Sequence, residues 1–106
     1  MGELDLEVIL ESPRKFRVWK YTVSHSMLLL RSIKTHDLPT RIDVLFVDVE
    51  HVDIPTNMDG LTISGTGRYL LSGRDWHGSV IALCCRVSED DGEYVDPSGF
   101  HEGSGI

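Results

Sequence analysis

His51 and Asp53 have side chains that could bind a metal ion, and their spacing would place both on one face of an extended strand. Glu50 or His77 could complete the shell, because zinc takes imidazole and carboxylate ligands. A closed site needs four ligands, and no spacing in the sequence fixes the third or the fourth. A solvent-exposed strand end explains the same pair with fewer assumptions. We therefore expect no cofactor, and metal-assisted hydrolysis at His51, Asp53 and His77 is the least favoured hypothesis.

The segment GRDWHG, residues 73–78, carries a carboxylate, an indole and an imidazole between two glycines. Asp75 could orient the imidazole of His77, and a hydroxyl from Ser72 or Ser79 would then complete a hydrolase-like set. No nucleophile-elbow pattern accompanies these residues. The segment alone therefore does not predict catalysis.

Aromatic side chains suggest a binding site of another kind. Trp76 and Tyr69, with Trp19 from an earlier segment, could stack against a sugar or another flat ligand. Asp75 and His77 would then be polar groups beside Trp76. The structural alternative is that Trp76 folds over the edge of a sheet and covers the core, because a tryptophan contributes a large apolar area when it is buried.

The two cysteines, Cys84 and Cys85, are adjacent. Neighbouring residues of a strand point to opposite faces, and a disulfide between them would need a strained turn. We therefore expect two reduced thiols, as in a cytoplasmic protein. Cys85 with a histidine could be a nucleophile and its base, but burial in an apolar strand would raise the pKa of the thiol and make it inert.

The charge of the chain limits its partners. Its 106 residues include 17 acidic and 10 basic side chains, with a formal net charge of −7 and a pI of about 5.0. Proteins that bind nucleic acid or anionic membranes concentrate Lys and Arg, so neither is expected as the main partner. A basic protein is a compatible partner, and the acidic, glycine-containing tail at residues 89–106 could lie across it.

Targeting signals are not apparent in the sequence. The first residues show no positively charged region followed by an apolar run, so no signal peptide is predicted. No stretch approaches the roughly 18 apolar residues of a membrane helix. Together with the expected reduced thiols, these features favour a cytoplasmic location.

Residues 41–55, RIDVLFVDVEHVDIP, form the most clearly predicted element. Apolar side chains lie two apart from Ile42 to Phe46, as on one face of a strand. In the same alternation Asp48 and Glu50 would enter the core, where an unpaired carboxylate is strongly unfavourable. A bulge or bend next to them would re-aim both side chains. The irregularity fits either a bend in a long strand or a site that uses Asp48 or Glu50.

The remaining apolar patterns predict short strands. Residues 16–24 are rich in aromatic and β-branched side chains, and residues 27–34 would pair with them as a hairpin. Residues 79–87 carry apolar side chains at both odd and even positions, which predicts a strand buried on both faces. Further strands are predicted at residues 4–10, 61–64 and 68–72.

Turn-forming residues separate these segments. They predict a stop at Ser12 and Pro13, a turn at Asp59 and Gly60, and a break at residues 65–67. Seven or eight short segments without a convincing amphipathic helix predict an all-β, antiparallel sandwich or flattened barrel, as a single domain over residues 1–88. An α+β fold with one short helix is the alternative. Exposed sheet edges could also pair between two copies as a homodimer.

These features favour a non-enzymatic protein-binding module, such as an inhibitor or an immunity-type protein, that binds a basic partner. The main support is the small size, the acidic charge and the lack of a catalytic motif, because a fold alone does not determine function. The alternative is a domain that binds a small ligand or a carbohydrate through its loop aromatics.

Overall fold

The computed structural model describes residues 8–35 and 37–90. Most of these residues belong to one antiparallel sheet that closes into a barrel. Its strands are β1 (Val8–Thr22), β2 (Met27–Ser32), β3 (Arg41–Asp53), β4 (Asn57–Thr66), β5 (Arg68–Gly73) and β6 (Trp76–Asp90). Their order around the barrel is β1-β2-β3-β6-β5-β4, and β4 pairs with β1 to close it. The prediction of an all-β antiparallel fold is confirmed.

Within the described ranges the chain forms six strands, rather than the seven or eight predicted, because β1 and β6 are each 15 residues long. The same residues contain no α-helix, and a 3-10 turn at Val23–His25 joins β1 to β2. The α+β alternative therefore has no support there. The predicted strand at residues 4–10 is described only from Val8 onward.

None of the described residues belongs to a helix that is long and apolar enough to cross a lipid bilayer.

β1 continues through the predicted stop at Ser12 and Pro13, so that prediction is wrong. The first half of β1 pairs with β4 and its second half with β2. Between Ser12 and Lys15 the pairing with β4 shifts, and β1 has one residue more than the strand it faces. Proline is tolerated at such a bulge because the missing N–H leaves no ladder hydrogen bond unmade.

The predicted turn at Asp59 and Gly60 is also wrong, since both residues lie inside β4. They face the bulge of β1, and Gly60 has a φ of 82°. A glycine adopts this left-handed conformation without steric cost. Asp59 and Gly60 therefore form part of a bulged region between two strands and not a turn. The predicted break at residues 65–67 is confirmed by the tight connection between β4 and β5.

The hydrophobic core fills the inside of the barrel. β3 pairs with β2 on one side and with β6 on the other, and all of its residues from Arg41 to Phe46 are buried. Side chains from all six strands meet there, and burying each large one contributes about 1.5–3 kcal/mol. The most deeply buried members are Phe16, Leu28, Leu30, Val44, Phe46, Met58, Leu61, Ile63, Leu71 and Val80.

A buried ion pair joins β2 and β3 at positions that alternate with the core residues. Arg31 and Asp43 are opposite each other in the ladder, and Nε donates to Oδ1 at 2.8 Å while Nη2 donates to Oδ2 at 3.1 Å. The two side chains are only 0% and 2% exposed. The Trp19 ring lies 5.0 Å from the guanidinium, within the range of a cation–π contact. Removing either charge would break a buried ion pair that is joined by two hydrogen bonds, which is strongly destabilising.

We expect Asp43→Asn to lower the free energy of unfolding by about 3 kcal/mol, because the amide keeps the shape of the side chain but removes the buried negative charge that accepts two hydrogen bonds from Arg31. Denaturant unfolding measures the loss. Asp37→Asn removes an exposed carboxylate and should leave stability nearly unchanged. A similar, small effect of both substitutions would contradict the structural role of the ion pair.

Candidate functional site

The predicted loop at residues 73–78 is a short turn. β5 ends at Gly73 and β6 begins at Trp76, so Arg74 and Asp75 alone connect them. His77 lies in β6 directly opposite Ser72, and both side chains are exposed. No hydrogen bond joins these two side chains in the described part of the chain. Ser72 and His77 are therefore neighbours in the sheet, but they lack the hydrogen bond through which a histidine would activate a serine as a nucleophile.

The aromatic residues of the predicted ligand site pack against the protein itself. Tyr69 is 4% exposed, and its ring meets Phe46 edge-on with 5.4 Å between ring centroids. Trp76 is half-buried against the core. Trp19 lies over the guanidinium of Arg31. Tyr69 cannot stack on an external ligand from this position, and the contacts of Trp76 agree with the structural alternative, in which it covers the core.

The proposed metal ligands lie on exposed strand positions. His51 and Asp53 are in β3, opposite Ile81 and Ser79 of β6, and His77 is further along β6. Among residues 8–35 and 37–90, no group of three or more His, Cys, Asp or Glu side chains is placed to hold a metal ion. We therefore propose no metal site.

Cys84 and Cys85 are both free thiols in β6, opposite Val47 and Phe46. Burial raises the pKa of the Cys85 thiol to about 12, and the adjacent Cys84 adds a smaller contribution in the same direction. A thiol with this pKa contains almost no thiolate at neutral pH, so Cys85 is a poor nucleophile.

β3 is irregular where the sequence would otherwise place two carboxylates in the core. Asp48 has a left-handed backbone with a φ of 55°, and the pairing with β6 shifts between Val49 and His51, which makes Glu50 the extra residue of a bulge. Val49 is buried, whereas Asp48 and Glu50 are exposed. The predicted bulge is confirmed, and its effect is to turn both carboxylates to solvent.

A groove of about 370 Å³ lies beside this bulge, and we call it the bulge groove. Leu83 at its edge is 68% exposed, so the prediction that residues 79–87 are buried on both faces is wrong at this position. Sequence reasoning missed Leu83 because apolar side chains at odd and even positions do not tell which face is covered. The groove is lined by Asp48, Glu50, Gly67, Ile81, Ala82 and Leu83.

Two strands, β3 and β6, and the turn between β4 and β5 hold the bulge groove in place. Asp48 lies between the cross-strand pairs Val47–Cys84 and Val49–Ala82, which puts it level with Leu83 of β6. The N–H of Ala82 donates to the carbonyl of Gly67 at 2.9 Å, so the turn between β4 and β5 reaches the same level. Apart from Gly67 and its two chain neighbours, no described residue has a heavy atom within 4 Å of the position that a Cβ of Gly67 would take, and the groove is open at that end.

The bulge groove carries negative charge from the carboxylates of Asp48 and Glu50. Neither Asp48 nor Glu50 makes an ion pair or a side-chain hydrogen bond with any described residue, and Arg68, opposite Ile81, pairs with neither of them. Four other carboxylates of the described chain are paired, in Arg14–Glu89, Arg31–Asp43, Arg41–Asp90 and Arg74–Asp59, while Glu11, Asp37, Asp53 and Asp75 make no ion pair with a described residue. The groove therefore combines an exposed apolar side chain with two carboxylates that make no ion pair within the described part of the chain.

Comparison of the chain with protein-family models, with curated proteins and with solved structures finds no match. The function has to be argued from the site itself, because the fold alone does not determine it.

We expect Asp48→Val to lower the free energy of unfolding by about 1–2 kcal/mol, since a β-branched residue is strongly disfavoured in the left-handed region. Asp48→Asn should have almost no effect, because asparagine tolerates this conformation. Glu50→Val is the matched control, as it introduces the same side chain at an exposed neighbour whose φ is not positive. Equal stability of the three variants in denaturant unfolding would contradict the strained backbone at Asp48.

We expect Cys85 to react slowly with iodoacetamide in a Cys84→Ser variant. With a pKa of about 12, roughly 1 in 10,000 of these thiols is ionised at pH 8, against about a tenth or more for an ordinary cysteine. The alkylation rate should therefore be at least about 100-fold lower than in the same variant unfolded by guanidinium, and it should rise as the pH approaches 12.

The raised pKa of Cys85 also predicts how stability depends on pH. The folded state holds the Cys85 proton more tightly than the unfolded state, whose ordinary thiol ionises near pH 9. This contribution to stability is complete below about pH 9 and is lost as the pH rises toward 12. Similar alkylation rates in folded and unfolded protein would contradict the burial of this thiol.

Proposed function

We propose that this chain is a non-catalytic protein-binding domain whose partner presents a basic surface. The observation that carries the proposal is Leu83, an exposed apolar side chain flanked by the unpaired carboxylates of Asp48 and Glu50. Protein interfaces bury an apolar anchor at their centre and keep charged groups at the rim. The bulge groove has this arrangement on one face of a rigid sheet.

The charge of the whole chain supports a basic partner. A net charge of −7 attracts a positively charged protein from a distance and repels nucleic acid and anionic membranes. An inhibitor or an immunity-type protein that covers a basic partner is the setting that these properties favour. A cytoplasmic location belongs to the same proposal, because both cysteines are free thiols.

Two further predictions concern the acidic tail and the oligomeric state. Glu89 and Asp90, the first residues of the predicted tail at residues 89–106, lie in β6 and pair with Arg14 and Arg41. The rest of that tail lies outside the described residues, and a contribution to partner binding stays a prediction. A homodimer also stays a prediction, although closure of the sheet weakens the argument for it from exposed edges.

A second candidate function is the binding of a small apolar ligand. A groove of about 400 Å³ is lined by Val18, Tyr21, Leu28, Val52, Ile54 and Thr56, where the end of β1 meets the end of β3. Small-molecule sites of this size do occur at the mouths of β-barrels. This candidate is the weaker one, because only the hydroxyls of Tyr21 and Thr56 could orient a ligand there.

Affinity capture from a lysate of the source organism tests the protein-binding proposal. We expect wild-type protein to retain one dominant basic protein, identified by quantitative mass spectrometry. Leu83→Ser removes the apolar anchor, and Asp48→Asn with Glu50→Gln removes the two charges. Each variant should reduce the captured amount about tenfold or more, as expected for the loss of a central interface contact.

Matched controls separate this surface from a general effect of apolar area or net charge. Val23→Ser truncates another apolar side chain, 77% exposed, outside the groove. Asp37→Asn with Asp53→Asn makes the same change in net charge at exposed positions that do not line the groove. Both controls should retain the partner. Equal retention by all variants would assign binding to another surface, and capture of no basic protein by wild type would count against the proposal.

A further inference from the structure

We propose that the bulge groove accepts one lysine or arginine side chain of the partner, with its alkyl stem against Ile81 and Leu83 and its cationic head between Asp48 and Glu50. This inference rests on the proposed protein-binding function and adds the chemical class of the group that is bound. Three properties of the groove support it: its apolar wall, its unpaired charges and its fixed backbone.

The apolar wall suits a long alkyl stem. On the β6 side of the groove, Ile81 is half-buried, Ala82 is buried and Leu83 is exposed. The apolar wall therefore extends from the interior of the protein to its surface. Lysine and arginine cover apolar surface with their methylene groups while the charged head stays in water. A short polar side chain would leave the surface of Leu83 uncovered, whereas a methylene stem removes it from water.

The two carboxylates favour an occupant with a positive charge. Asp48 and Glu50 lie two residues apart in the bulge, and neither has a partner among the described residues. A purely apolar group entering the groove would remove water from both carboxylates without replacing its hydrogen bonds, which is unfavourable. An acidic group would be repelled. An ammonium or guanidinium group replaces the lost water with charge-assisted hydrogen bonds.

The backbone around the groove is held from two sides. The N–H of Val49 donates to the carbonyl of Ser26 at 2.8 Å, and the N–H of Ala82 donates to the carbonyl of Gly67 at 2.9 Å. The first bond ties the bulge to the connection between β1 and β2, and the second ties β6 to the turn between β4 and β5. A site on a fixed backbone loses little conformational entropy when it is occupied.

An NMR titration with single-residue probes tests the inference. The probes are the N-acetyl methylamides of arginine and lysine, and that of norleucine is the control with an apolar chain of similar length and no charge. We expect saturable amide shifts centred on Glu50, Gly67 and Leu83 with at least one basic probe, with a Kd on the order of 1–10 mM. Norleucine should bind at least about fivefold more weakly.

The same titration on variants shows whether the two carboxylates are responsible. Asp48→Asn with Glu50→Gln should reduce probe binding at least about fivefold, while Asp37→Asn with Asp53→Asn should retain it. Equal binding of norleucine, equal binding to the two double variants, or shifts spread over other surfaces would each overturn the inference.

The outcomes also separate this inference from the function on which it rests. If Leu83→Ser loses a captured partner but no basic probe binds in the groove, the inference is overturned and the protein-binding function stands. If the basic probes bind in the groove but no partner is captured, the preference for a basic side chain is supported and the proposed function is not.

Discussion

Core-facing residues of β3 alternate up to Phe46, and an unbroken strand would carry Asp48 and Glu50 into the barrel. The interior is filled by apolar side chains and offers no counter-charge for two carboxylates. A left-handed residue followed by one extra residue resolves the conflict, so that Val49 takes the core position. β3 forms ladders with both β2 and β6, so the two neighbouring strands pair with a strand that carries this bend.

Earlier in the same strand, another carboxylate stays buried and does not turn to solvent. Asp43 stays buried because Arg31 meets it with two hydrogen bonds from the neighbouring strand. A slip of one residue between β2 and β3 would separate the two groups and break both buried hydrogen bonds between them, which is more costly than losing an apolar contact. The ion pair therefore selects the register of these strands, whereas the bulge adjusts the alternation within one of them.

The sequence predicts those features that depend on neighbouring residues. Alternation indicates the strands, and the position of Asp48 and Glu50 relative to Phe46 predicts the bulge. The errors arise where local signals depend on a distant partner strand. Pro13 and Gly60 have the chemistry of turns, but they face each other across a bulge between β1 and β4, a pairing that the local sequence does not reveal.

The candidate site is harder to predict than the fold, because it depends on which sheet face is covered. Residues 79–87 are apolar at odd and even positions, and only the closed barrel shows that Leu83 faces solvent. The ion pair of Arg31 and Asp43 could not be predicted for a related reason, because it depends on the register between β2 and β3. Conversely, the loop around Trp76 attracted a functional interpretation that its packing against the core does not support.

Neither the bulge nor the barrel requires the particular side chains of Asp48 and Leu83. Glycine at position 48 would adopt the left-handed backbone with less strain, and a polar residue at position 83 would leave the core unchanged because Leu83 is outside it. The exposed side chain of Leu83 and the solvent-facing carboxylates beside it therefore contribute little to folding. The proposed binding surface therefore lies on the sheet, where Leu83 stands beside Asp48 and Glu50, rather than on the loops.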